Sequence, residues 1–189
     1  RVVKAESYKA PVDPRRQSQG KIYRYHFWNG QVSSPMLSDY AWHVPTSMDL
    51  DRAQEAVKAI CGKHDFSAFR ARGCAAEHAI RRITKASLTR HPGSPHLITF
   101  EIHGEAFVRH QVRILAGTVS EICRGLRAPD AMETLLKPAK REDAGKTAPS
   151  QGLLLVKVDM NLPEPQEFWP PEDLDSTTLF PVLFNPDDS

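Results

Sequence analysis

The chain has 189 residues, is 40% hydrophobic and 25% charged, and carries a formal net charge of +2; this fits one globular domain with or without a tail. No apolar run approaches the ~20 residues that span a bilayer, and the opening Arg1-Val2-Val3-Lys4-Ala5-Glu6 turns polar too soon for a signal peptide. Cys61, Cys74 and Cys123 are odd in number and widely spaced, which argues against a zinc site or a disulfide scaffold and for a reducing, cytoplasmic setting.

Residues 2–10 have strand character, broken by Pro11 and Pro14. Residues 21–28 alternate strictly, placing Tyr23, Tyr25 and Phe27 on one face and Arg24 and His26 on the other. Asn29-Gly30 reads as a turn. Asp49 is a candidate cap for a helix to about Cys61, with Ala53, Ala56, Val57 and Ile60 in one stripe and Gly62 as its stop. Two strands, roughly 82–90 and 96–103, flank His91-Pro92-Gly93-Ser94-Pro95 and should pair antiparallel.

A second helix is predicted over about 107–123, with Val108, Val112, Leu115, Val119 and Ile122 buried and Gly125 ending it. A short helix follows over 129–137, opened by Pro129. Residues 138–152 form a loop, and Leu153–Val158 is an apolar strand interrupted only by Lys157. Interspersed helices with antiparallel pairing predict an α+β fold: a mixed, largely antiparallel sheet flanked by helices.

The expected division is a domain over 1–160 and a tail over 161–189. The tail is rich in proline and holds seven acids and no Lys or Arg, leaving residues 1–160 at about +9. Such a tail either wraps the body or stays disordered. A body of that charge suits a polyanion, although solvated basic faces are common.

Three stretches carry more than packing information. In Lys21-Ile22-Tyr23-Arg24-Tyr25, tyrosines and bases interleave. Either the tyrosines are core residues of an amphipathic strand, or they form an aromatic wall for a nucleobase beside cations. In His64-Asp65-Phe66-Ser67-Ala68-Phe69-Arg70, the phenylalanines either anchor a loop or stiffen a basic one, and both readings stand. In Phe107-Val108-Arg109-His110-Gln111-Val112-Arg113, the two arginines are four apart, hence on one face near a helix start, where they would hold a carboxylate or phosphate. Arg113 leads into Ile114-Leu115-Ala116-Gly117 and so enters the buried side, where an arginine requires a partner. The nearby sequence offers no acid.

These three blocks, with Gly117 and Thr147-Ala148-Pro149-Ser150-Gln151-Gly152-Leu153, resemble in order and approximate spacing the tRNA pseudouridine synthase A family. The resemblance covers roughly 1–160. It departs from the family at Val12-Asp13-Pro14-Arg15, where a Phe-His-x-Arg block keeps only its arginine, and at Gln111, where methionine is usual. It implies a pseudouridine synthase-like fold and a cofactor-free, metal-free isomerisation of uridine in the anticodon stem-loop of tRNA. In that chemistry an aspartate attacks the flipped nucleotide, and the uracil rotates and rejoins through carbon.

By block matching, Tyr23 lies against the uracil, Arg113 pairs with the catalytic aspartate, and Leu153 forms the apolar floor. Arg15, Lys21, Phe66, Arg70, Arg109 and His110 follow as RNA or pocket contacts. The family's Arg-Thr-Asp-x-Gly-Val-His-like block does not occur in the 20 residues before Lys21, and Asp13 falls in the wrong block. The expectation is therefore a synthase fold incomplete at its N-terminus, inactive alone, with the nucleophilic aspartate supplied from outside. The family also implies a homodimer. The alternative is a non-catalytic RNA-binding or assembly protein that keeps the scaffold.

Overall fold

The computed structural model describes residues 5–8, 11–14, 16–162 and 167–169. Its strands in chain order are β1 (Ala5–Ser7), β2 (Ser18–Trp28), β3 (Trp42–His43), β4 (Gly62–Asp65), β5 (Ile80–His91), β6 (Ser94–Gly104), β7 (Leu153–Met160) and β8 (Glu167–Trp169). The α-helices are α1 (Asp51–Ala59), α2 (Gln111–Cys123) and α3 (Ala131–Leu135).

Contacts divide the chain into two units, Arg1–Gln17 with Met160–Ser189, and Ser18–Asp159. In the first, β1 pairs antiparallel with β8, Glu6 opposite Phe168. Of the predicted tail, residues 161–162 and β8 are described; the rest of 161–189 lies outside the described residues.

The second unit is built on a sheet of order β3-β2-β6-β5-β4, with β7 also pairing with β2. The alternation of β2 sets its register against β6, where Tyr25 opposes Phe100 and Phe27 opposes Ile98. These four side chains are fully buried, each contributing about 1.5–3 kcal/mol of apolar transfer. In the β5–β6 hairpin a register shift between Ile83 and Lys85 switches the parity of β5. One inserted residue thereby turns both Ile83 and Leu88 toward the core, which strict alternation would forbid.

Helices α1 and α2 cover this apolar face. Ala53, Ala56 and Val57 of α1 are buried, and Asp49 Oδ1 accepts the N–H of Asp51 at 3.0 Å, as a cap should. Helix α2 ends as its sequence requires: Gly125 takes φ 71°, with Gly125 N–H donating to Ile122 O and Leu126 N–H to Glu121 O. That pair of bonds closes a Schellman turn in the left-handed conformation glycine adopts freely. Helix α3 is shorter than the predicted 129–137.

The other sheet face is polar. Arg24 Nε lies 2.7 Å from Glu101 Oε2, and His103 Nε2 lies 2.8 Å from Glu101 Oε1. Beyond β2, Gly152 lies against Tyr25 and His26 while Asp159 lies near Gly20, so β7 runs antiparallel to β2. Leu154, Leu155 and Val156 of β7 are 49%, 47% and 39% exposed, unusual for consecutive apolar residues on a strand. Among the described residues no helix is long and apolar enough to cross a membrane.

Candidate active site

The helix predicted from 107 starts at Gln111, and this correction shapes the site. Val108 N–H donates to Gln111 Oε1 at 2.8 Å, Gln111 N–H donates to Val108 O at 3.1 Å, and His110 adopts φ 60°. A left-handed residue cannot continue a right-handed helix, so 107–110 is a tight turn. Arg109 therefore does not share a helical face with Arg113. It is exposed before α2, with Nη1 3.4 Å from Gly73 O.

Arg113 lies in the first turn of α2, half-buried. Its Nε donates to Ala148 O at 2.7 Å, and Ala148 N–H donates back to Arg113 O at 3.1 Å. The loop reaches α2 this closely because Gly117 and Gly145 leave room: a Cβ on Gly117 would collide with Lys146 O, and one on Gly145 would lie 2.7 Å from Thr118 Cα. Thr118 Oγ1 accepts the Gly145 N–H at 3.0 Å. Tyr25 Oη donates to Pro149 O at 2.7 Å, holding the same loop from the sheet side. Clasped from both sides, the loop delivers Ser150 and Leu153 opposite Tyr23.

Tyr23, Leu153, His110 and Arg113 line one cavity of about 200 Å³. Tyr23 packs edge-on against Phe107, ring centroids 5.1 Å apart at 85°. Phe107, Val108, Gln111, Val112 and Ser150 complete the wall. The sequence reading did not nominate them; their membership in the same two motifs was the available signal. Burial raises the Tyr23 phenol, and it raises Tyr25 further against the opposing pull of Arg113. The His110 imidazole is lowered by desolvation first and then by Arg113 and Arg109, so it favours the neutral form. Arg113 forms no ion pair among the described residues.

Other nominated residues lie elsewhere. Phe66 is 0% exposed and packed against Phe69 in the core, so its ring is not open to an RNA contact as placed. Arg70 Nη2 donates to Cys74 O and Ala76 O, bracing residues 71–79. Lys21 Nζ donates to Ser18 Oγ at 2.9 Å and lines a separate hollow with His103 and Asp159. Tyr25 is wholly buried and belongs to no aromatic wall. Arg15 lies outside the described residues. No group of His, Cys, Asp or Glu able to hold a metal occurs among the described residues.

A sequence model of the family described as tRNA pseudouridine synthase matches residues 56–161. The chain belongs to the tRNA pseudouridine synthase family. It is similar to proteins named tRNA pseudouridine synthase A from several bacteria. With that of Myxococcus xanthus it shares 41% identity over 157 residues, 83% of this chain and 58% of the relative. With that of Geotalea uraniireducens it shares 38% over 155 residues, 81% and 62% of the two chains. With that of Acetivibrio thermocellus it shares 38% over 159 residues, 83% and 64%. The chain thus spans about three-fifths of the length of these family members. The family's α+β fold, with a mostly antiparallel sheet and flanking helices, is the fold observed.

Proposed function

We propose that this chain forms the larger part of a tRNA pseudouridine synthase acting on uridine in the anticodon stem-loop, completed by a segment that carries the catalytic aspartate. The observation that carries this reading is the convergence of Tyr23, Leu153 and Arg113 on one small cavity in a member of this family. A target uridine must leave the base stack, at a cost of a few kcal/mol. Stacking on Tyr23 and apolar contact with Leu153 offset that cost, while exposed Arg109 and His110 meet the flanking phosphates.

Ala148 O takes only Nε of Arg113, and its two terminal nitrogens have no partner among the described residues. A carboxylate brought to that fork forms a charge-assisted pair. The exposed apolar residues of β7 are where further strands would join. In the reaction the N1–C1′ bond breaks, the C5–C1′ bond forms, C5 gives up its proton and N1 gains one. The change is an isomerisation, so it calls for no redox partner.

The test is tritium release from tRNA labelled at uracil C5, using the full-length product of the reading frame. Release with formation of pseudouridine in the anticodon stem-loop is expected. Salt-sensitive tRNA binding without release would favour the second reading, a scaffold that binds RNA without turning it over. The same reading carries a cytoplasmic location and a homodimer, the latter checked by sedimentation.

A further inference from the structure

A hollow of about 480 Å³ opens at the edge of the sheet, beside β4 and the start of β5. Lys63, His78, Arg81 and Arg82 line it, with Glu105 as the single acid and Ala106 toward the catalytic cavity. Lys63 stands directly opposite Arg82 in the β4–β5 pairing. Like charges facing each other across adjacent strands weaken a sheet, so packing gives no reason for this pair. Lys63 forms no ion pair among the described residues. Arg82 Nε lies 3.5 Å from Glu105 Oε1, but both side chains are exposed and such a pair contributes little.

Arg81 is fixed in place by its own backbone. Its Nη1 donates to Ile80 O at 2.6 Å and to His78 O at 3.1 Å. Its Nη2 has no partner among the described residues and, unlike the buried Nε, is not closed off. The lining thus offers three permanent cations against one carboxylate, and no Phe, Tyr or Trp on which a base could stack. That chemistry suits a phosphate rather than a nucleobase, since ammonium and guanidinium groups hold phosphate oxygens by charge-assisted bonds. The hollow also adjoins the catalytic cavity along the chain: Ala106 lines the first and Phe107 the second.

We propose that this hollow holds a backbone phosphate of the tRNA whose target uridine enters the neighbouring cavity, with Lys63, Arg81 and Arg82 as its donors. The proposal rests on the functional reading above for the identity of the RNA. It adds an anchoring point outside the catalytic cavity, one that fixes the position of the RNA without reading its sequence.

The experiment titrates the full-length protein with tRNA between 50 and 200 mM salt, a window of about fourfold in counterion concentration. Lys63→Met should weaken binding by about tenfold, as for one lost charge-assisted bond. It should also make the slope of log K against log salt shallower by about 0.9, the share of one phosphate contact. Arg82→Met should do the same, and Lys63→Arg should restore both quantities. In turnover the loss should fall on KM and leave kcat level, because the contact is made equally before and during the reaction. Lys58→Met, which removes the same charge from a lysine paired with Glu55 on α1, should leave the slope unchanged. An unchanged slope in Lys63→Met, or an equal change in Lys58→Met, would overturn the proposal. If the unsubstituted protein forms pseudouridine while Lys63 and Arg82 prove indifferent, this inference fails alone. A protein that binds no tRNA overturns the functional reading and this inference together, whereas binding through Lys63 without turnover overturns the catalytic reading and keeps the phosphate site.

Discussion

Residues 64–70 and 107–113 both interleave phenylalanine with arginine and histidine, and the fold uses them in opposite ways. In the first, Phe66 and Phe69 are 0% exposed and face each other at 6.0 Å. Arg70 donates through a terminal nitrogen to the carbonyls of Cys74 and Ala76. In the second, Phe107 is only half-buried, and Arg113 engages one carbonyl through Nε while its terminal nitrogens have no hydrogen-bond partner among the described residues. The same residue types therefore make a scaffold in one place and an open site in the other. What separates them is which polar atoms local backbone has already claimed.

The largest expected effect tests the core side of that contrast. Phe66→Ala should cost about 3–5 kcal/mol of stability in urea unfolding, and Phe107→Ala less than half as much. Comparable losses would mean that both loops are core.

The arginines should then cross over. Arg70→Met removes a charged donor from two carbonyls and should cost about 1.5–3 kcal/mol. Arg113→Met should cost about 1 kcal/mol, for one bond, yet eliminate tritium release by the full-length protein. An active Arg113→Met protein would erase the distinction.

His110 supplies a smaller test. Its φ of 60° costs a non-glycine residue about 1–2 kcal/mol, so His110→Gly should raise the melting midpoint while weakening tRNA binding. A lowered midpoint would show that the imidazole stabilises the turn.

The polar sheet face gives the smallest effect and a control away from both loops. The Glu101 carboxyl is held below its ordinary value of 4.5 by hydrogen bonds from His103 first and Arg24 next, against desolvation. A depressed folded value means this contribution is complete above pH 4.5 and is lost as pH falls through the lower folded value. Glu101→Gln should flatten that part of the stability profile and leave its neutral side almost level. An unchanged acid limb would show that the pairs contribute nothing.

Much of this was legible beforehand. Period-two alternation in 21–28 and the 3.6-residue stripe of 112–122 determined β2 and the buried side of α2, because side-chain direction follows directly from backbone geometry. Four ordered motifs carried the family and, through it, Tyr23, Arg113 and Leu153. The bulge in β5 was not legible, since one inserted residue leaves composition untouched and changes only parity. Neither was the late start of α2: the atoms that decide it are the Gln111 amide and the Val108 N–H, a pairing that periodicity does not encode.

The sequence by itself determined the fold class, the family and which residue types would meet. Only the tertiary structure decided which cations are already committed to backbone carbonyls and which face the cavity. Arg70 and Arg113 are chemically identical; the first turns back on the nearby carbonyls of Cys74 and Ala76, the second reaches Ala148 O across the fold through Nε alone, and which atoms are taken is a fact of position. Gln111 shows the same limit, since its Oε1 meets the Val108 N–H only once the turn around it has closed.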